Sequence, residues 1–139
     1  MTAEAIRGQV RSEYEARFPA PRTERIERGR VRDYLLALDE PADLAADAEV
    51  PPLFLLTLGR TRRPQPSKGT AVKAGEDYEF FVPVRIGDTI TINYRVLDVQ
   101  EKQGKVGAMF LLTQEWRYVN QHGETVGVAK TTILRWGPL

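Results

Sequence analysis

Apolar residues along this chain change their spacing once. Up to about residue 62 they recur at helical intervals, and beyond about residue 70 they alternate with polar ones. Ile6, Val10, Tyr14 and Phe18 repeat every fourth position and predict a helix over residues 3–18. Thr2 is placed to cap it, and Pro19 and Pro21 stop it, because proline cannot continue the hydrogen-bond ladder. Val31, Tyr34, Leu35 and Leu38 share a face and predict a second helix over 30–38. A loop rich in Asp, Ala and Pro follows from Asp39 to Val50. Leu53, Phe54, Leu55, Leu56 and Leu58 then leave almost no polar face between Pro51-Pro52 and Gly59. Those flanks favour a helix apolar all round, hence buried all round. A buried strand is the alternative, since short apolar runs do not separate the two.

Four strands are predicted in the second half. Tyr78, Phe80, Val82 and Val84 alternate with Asp77, Glu79, Phe81 and Pro83, and Pro83 places that strand at an edge or a bulge. Ile86-Gly87-Asp88 predicts a turn into the next strand. There Ile90, Ile92, Tyr94 and Val96 alternate, and the phase then slips to Leu97 and Val99, the mark of a bulge. Glu101 to Gly104 predicts a turn. A long strand over 105–119 carries Val106, Ala108, Phe110 and Leu112, then Trp116 and Tyr118. Asn120-Gln121-His122-Gly123 turns into a last strand over 124–136. Long strands joined by short turns predict a curled antiparallel meander. Helices first and strands later give the α+β class.

Composition narrows the function. The chain has 139 residues and 42% apolar content, enough for one domain spanning 1–139. Twenty basic residues nearly cancel 19 acidic ones, which disfavours a dedicated nucleic-acid binder. The absence of cysteine excludes disulfides and thiolate metal sites. A single histidine, His122, excludes a multi-histidine metal site within one chain. No metal or cofactor is therefore expected. The first residues show no signal-peptide pattern and no apolar run reaches the ~20 residues that span a bilayer, so a cytoplasmic location is the expectation.

Three groups are candidates for chemistry. His122 could act as a base near neutral pH, but its Asn-Gln-His-Gly setting reads as an exposed turn. Asp39, Glu40, Asp43, Asp47 and Glu49 could form an acid–base pair, or simply a solvated loop. Arg60, Arg62, Arg63 and Lys68 could hold phosphates, since arginine forks match phosphate oxygens, or could only aid solubility. There is no phosphate-binding loop, dinucleotide fingerprint or nucleophile elbow.

Four stretches resemble a known family. They are Glu27 to Leu38, Val50 to Gly59, Tyr78 to Thr89 and Trp116 to Thr125. The second is similar to an "ApPtFl" entry to a central helix, the third to "rPvrvGDtl" and the fourth to "tyrNqdGelv". In order and spacing they resemble the N-terminal-type half of MaoC-like dehydratases of the hot-dog superfamily. That resemblance implies a hot-dog fold, a long central helix wrapped by a curved antiparallel sheet. Active relatives resemble one another in a loop Tyr-Ala-x-Ala-Ser-Gly-Asp-x-Asn-Pro-Ile-His. Here the matching stretch runs from Tyr34 to Asp43. Asp39 and Pro41 match it only if residues are deleted, and Asp43 stands where the histidine belongs. A carboxylate does not replace imidazole, because its unperturbed pKa is about two units lower.

The resemblance thus implies a degenerate active-site loop at Asp39, Pro41 and Asp43, with no catalytic residue carried over. It implies a noncatalytic subunit that pairs with a catalytic MaoC-like subunit, in an (R)-specific enoyl-CoA hydratase or 3-hydroxyacyl thioester dehydratase. Such halves often make room for the acyl tail. Arg60, Arg62, Arg63 and Lys68 become candidates for the phosphates of coenzyme A. Two other functions fit the same fold. One is a thioesterase using Asp43, Asp47 or Glu49 to activate water. The other is a homodimeric acyl-CoA-binding protein.

Overall fold

The computed structural model describes residues 2–18, 20–59 and 68–138. The chain runs α1 (Ala3–Glu15), β1 (Arg22–Arg25), α2 (Arg28–Ala37), a 3-10 helix (Pro52–Thr57), β2 (Thr70–Phe80), β3 (Thr89–Gly104), β4 (Gly107–Val119) and β5 (Thr125–Trp136). The strands form one antiparallel sheet in the order β1-β3-β4-β5-β2.

Both predicted helices form. The Thr2 hydroxyl caps α1 by accepting from the Ala5 amide, and Val10 and Tyr14 are buried on its inner face. Ile6 packs at the margin of the same cluster, against β3 and β4. Arg11 ties the helix to the sheet by donating to the Val96 carbonyl at 2.6 Å. In α2, Val31 and Leu35 are buried and Tyr34 is half-buried as the spacing predicts, whereas Leu38, just past the helix end, is exposed.

The segment from Pro52 departs from its prediction. It is a six-residue 3-10 helix rather than a long central helix, and Leu58 is already extended at ψ 143°. Phe54, Leu55 and Leu58 are buried, but Leu53 is 51% exposed, so the segment is covered on one side only. Gly59 completes the exit with φ 63°, and a Cβ there would sit 3.1 Å from Ile92. Its amide donates to Glu24 Oε2 at 2.6 Å, which pins the exit to β1. A tight turn with a fixed exit ends the helix after its apolar residues have reached the core.

The strands differ from the predicted meander in three ways. The first predicted strand does not form a hairpin with the second. β2 starts earlier, ends at Phe80 before Pro83, and pairs with β5 at the edge of the sheet. The turn at Arg85–Asp88 is present, but it serves a crossover. Around it the Ile26 amide donates to the Asp88 carbonyl and the Gly87 amide to the Ile26 carbonyl, and Val50 donates to the Val84 carbonyl. The β3–β4 turn sits at Lys105-Val106 rather than 101–104, because backbone pairing continues through polar residues as far as Gly104 and Gly107. β1 was not predicted at all; its Arg-Thr-Glu-Arg sequence has no apolar alternation. The predicted bulge in β3 is found as a register shift between Val96 and Asp98.

The inner face of the sheet carries two apolar clusters. One lies under α1: Val10, Tyr14, Val96, Val99, Phe110 and Leu112. The other lies under α2 and the 3-10 helix and includes Ile26, Val31, Leu35, Phe54, Leu55, Ile90, Ile92, Trp116, Tyr118, Val126 and Ala129. No helix among the described residues is long and apolar enough to cross a membrane.

Candidate functional site

Strand register places polar side chains where the two clusters meet. Alternation sends Phe110, Leu112, Gln114, Trp116 and Tyr118 of β4 inward. Gln114 stands opposite Val96 on β3 and Thr131 on β5. Gln114 is 4% exposed and Thr131 2%. The Tyr94 hydroxyl donates to Gln114 Oε1 at 2.5 Å, and Gln114 Nε2 donates to Thr131 Oγ1 at 2.9 Å. Burial pushes the Tyr94 phenol well above its ordinary value, with nearby Arg17 acting in the opposite sense. Tyr94 is thus a neutral donor near pH 7.

This chain of hydrogen bonds floors a cavity of about 310 Å³ lined by Tyr14, Arg17, Phe18, Lys73, Gln114, Trp116, Thr131 and Ile133. It lies between the C-terminal end of α1, with the residues just past it, and strands β2, β4 and β5. Phe18, just past α1, forms the aromatic wall. Its ring lies 4.5 Å from Tyr94 and meets Trp116 edge-on at 5.7 Å. Arg17 stacks over the Tyr14 ring at 4.2 Å and pairs with Glu13 at 3.7 Å. Glu13 also faces the buried Arg135 at 3.4 Å, so one carboxylate anchors two guanidinium groups. Lys73 reaches in from β2 and pairs with Glu76.

A second cleft of about 270 Å³ opens at the end of β2. Glu49, Val50, Pro52, Leu55 and residues Phe80 to Val84 line it. Phe81 is exposed there by 56% and Phe80 by 37%. Glu49 pairs with Arg85 at 3.3 Å and is itself exposed.

The residues singled out from sequence are not brought together. Arg60, Arg62 and Arg63 lie outside the described residues, and Lys68 is exposed just before β2. Asp39 follows α2 in the left-handed region with φ 58°. Asp39, Pro41 and Asp43 are exposed, while Ala42 and Leu44 between and beyond them pack on the core. His122 sits exposed in the β4–β5 turn, where its amide donates to Asn120 Oδ1. Among the described residues, no group of three or more Asp, Glu and His is placed to hold a metal ion.

The cavity residues were missed, although one signal was available. Gln114 interrupts an apolar series that runs through Phe110, Leu112, Trp116 and Tyr118. A polar residue at an inward position needs a partner or a ligand. Arg17 and Lys73 carry no such signal, because only tertiary packing brings them to the cavity.

Residues 15–128 match the family model of the FAS1-like, dehydratase domain region. Among solved structures, the ChsH1-ChsH2 complex from Mycobacterium tuberculosis contains a similar chain. That chain is 16% identical with a TM-score of 0.70, over 98% of this chain and 92% of that one. The HadBC (3R-hydroxyacyl-ACP dehydratase) complex from the same organism matches at 21% identity and a TM-score of 0.64, over 83% of this chain and 91% of that one. A MaoC-like dehydratase from Rhodospirillum rubrum matches at 17% identity and a TM-score of 0.66, over 85% and 90%. At such identities the likeness is one of fold, and the fold is the hot-dog fold of MaoC-like dehydratases. No curated protein matches the chain.

Proposed function

The chain belongs to the FAS1-like dehydratase family, and on that premise we propose that it is the noncatalytic subunit of a heteromeric MaoC-like (R)-specific enoyl-CoA hydratase or 3-hydroxyacyl thioester dehydratase. The observation that carries this reading is the content of the inner-face cavity. Among the described residues, no carboxylate and no imidazole lines it. Hydration requires one group to take a proton from water and another to exchange the α-proton, each contributing roughly 10²–10⁴-fold. The loop from Asp39 to Asp43 offers carboxylates but no imidazole, and those carboxylates are exposed. A chain with a formed cavity and no acid–base pair in it is suited to holding a substrate whose chemistry is done by a partner.

Two features support the partner. β2 is an edge strand of 11 residues, of which ten are exposed, so its backbone is accessible for sheet extension. At its end, Phe80 and the adjoining Phe81 expose an apolar patch. ChsH1-ChsH2 and HadBC are themselves complexes of two named components. In this reading the partner covers β2 and the patch and supplies the Asp and His. The cavity between the end of α1 and the sheet takes the far part of the acyl chain. Arg60, Arg62, Arg63 and Lys68 reach the phosphates of coenzyme A.

The test is loss of 2-enoyl-CoA measured with this chain alone, with a MaoC-like subunit bearing an intact Asp-x-Asn-Pro-x-His loop, and with both. Turnover by the mixture alone, unchanged by Asp39→Ala and Asp43→Ala in this chain, is the expected result. Robust turnover by this chain alone, lost on either substitution, sinks the proposal. So does equal turnover by the other subunit alone.

A further inference from the structure

Every polar group that lines the inner-face cavity is able to donate a hydrogen bond. Arg17 and Lys73 are cations, so they only donate. Thr131 Oγ1 accepts from Gln114, so its hydroxyl proton remains to be given. Gln114 uses one amide proton on Thr131 and keeps a second. Its oxygen accepts from Tyr94, which fixes the amide with Nε2 toward Thr131. Both acceptors of the network, Gln114 Oε1 and Thr131 Oγ1, therefore already hold one donor each. No carboxylate is among the lining residues; Glu13 and Glu76, which pair with Arg17 and Lys73, stand outside the lining. The walls are apolar and aromatic: Phe18, Trp116, Tyr14 and Ile133.

This arrangement selects a particular ligand shape. An apolar body packs on the aromatic wall, and an oxygen acceptor at its end meets the donors. A chain ending in a methyl group leaves Thr131 and Gln114 with donors facing hydrocarbon, which carries a desolvation cost. Resting on the reading of this cavity as the acyl-tail site, we infer that its preferred acyl chains carry a carbonyl or carboxylate oxygen at the far end, and that Gln114 and Thr131 are the residues that select them.

Binding to the purified full-length chain tests this without any partner. The probes are N-acetylcysteamine thioesters of equal chain length: octanoyl, its (ω−1)-oxo counterpart and the suberic half-thioester. Titration is followed by calorimetry and by tryptophan emission in a Trp136→Phe background, which leaves Trp116 of the cavity lining as the reporter. The oxo and carboxylate probes bind about tenfold more tightly than octanoyl, the ratio that one or two satisfied hydrogen bonds supply. Thr131→Val removes most of that ratio for both. Lys73→Met, at the exposed rim, lowers affinity for the suberic probe more than for the oxo probe and separates charge from simple acceptor strength. It also keeps the test open if Thr131→Val does not fold. Equal binding of octanoyl and the oxygen-bearing probes overturns the inference while leaving the acyl-tail cavity standing. A lack of binding by all three removes the acyl-tail reading and the inference with it.

Discussion

Gln114 and Glu115 are neighbours on β4, yet they face opposite sides of the sheet and have opposite characters. Both are buried, at 4% and 3% exposure. On the outer face, Glu115 accepts from Arg95 Nε at 3.0 Å and lies 3.5 Å from Arg117 Nε, with Lys130 opposite it in the ladder. Two arginines share one oxygen of that carboxylate, and the cations themselves reach water. On the inner face, Gln114 links Tyr94 to Thr131 and the pair retains donors toward a cavity. Burial of a polar side chain is therefore not in itself a sign of function. The difference lies in whether its neighbours use up its hydrogen-bonding capacity.

Breaking the inner network has the larger effect. Gln114→Leu leaves the Tyr94 hydroxyl without its acceptor and destabilises the chain by about 1–3 kcal/mol in urea unfolding. Adding Tyr94→Phe recovers part of that loss, because the stranded donor is gone. Strictly additive effects of the two substitutions would contradict the coupling drawn here.

A pH series sharpens the same comparison. The Tyr94 phenol is raised above its ordinary value of 10.0 by burial. The folded chain therefore keeps a proton that the unfolded chain releases. Stability is unaffected below that value and falls as pH rises above it, with a slope approaching about 1.4 kcal/mol per pH unit from this group. Tyr94→Phe flattens that part of the profile. An identical alkaline slope in the variant would mean that the phenol titrates normally.

The outer network responds least. Arg95 and Arg117 are exposed by 62% and 42% in their side chains, so each is solvated when its partner is neutralised. Glu115→Gln costs about 1 kcal/mol or less, and added salt narrows the gap to the wild type. A loss larger than that of Gln114→Leu would reverse the ranking of the two faces.

How far the sequence revealed this molecule depends on how locally each feature is encoded. α1 and α2 were legible because their apolar residues are periodic. The β3 bulge was legible because the apolar phase slips after Val96, and the structure has its register shift there. β1 was not, since four polar residues owe their strand state to pairing with Thr89–Ile92. The pairing of β2 with β5 was equally hidden, because alternation says that a strand exists but not which neighbour it takes. The run after Pro51 was legible as buried but not as short. Its apolar residues fit a long helix as well as a 3-10 turn, and the exit at Gly59 is set by contact with Ile92 and Glu24. At the candidate site, Gln114 was visible as an interruption, whereas its meeting with Arg17 and Phe18 depends on the packing of α1 across the sheet, and with Lys73 on the pairing of β2 with β5.

The exposed edge at β2 has a consequence for handling the protein. A long accessible strand is a template on which further chains add, and such growth ends in aggregates. The charges along β2 oppose stacking of identical copies: Lys73 is followed by Glu76, Asp77 and Glu79. A parallel in-register fibril would align each of these with its own like. Expression of the chain alone therefore favours material that stays dispersed at low ionic strength. It precipitates as salt screens those charges, and co-production with a strand-donating partner removes that sensitivity.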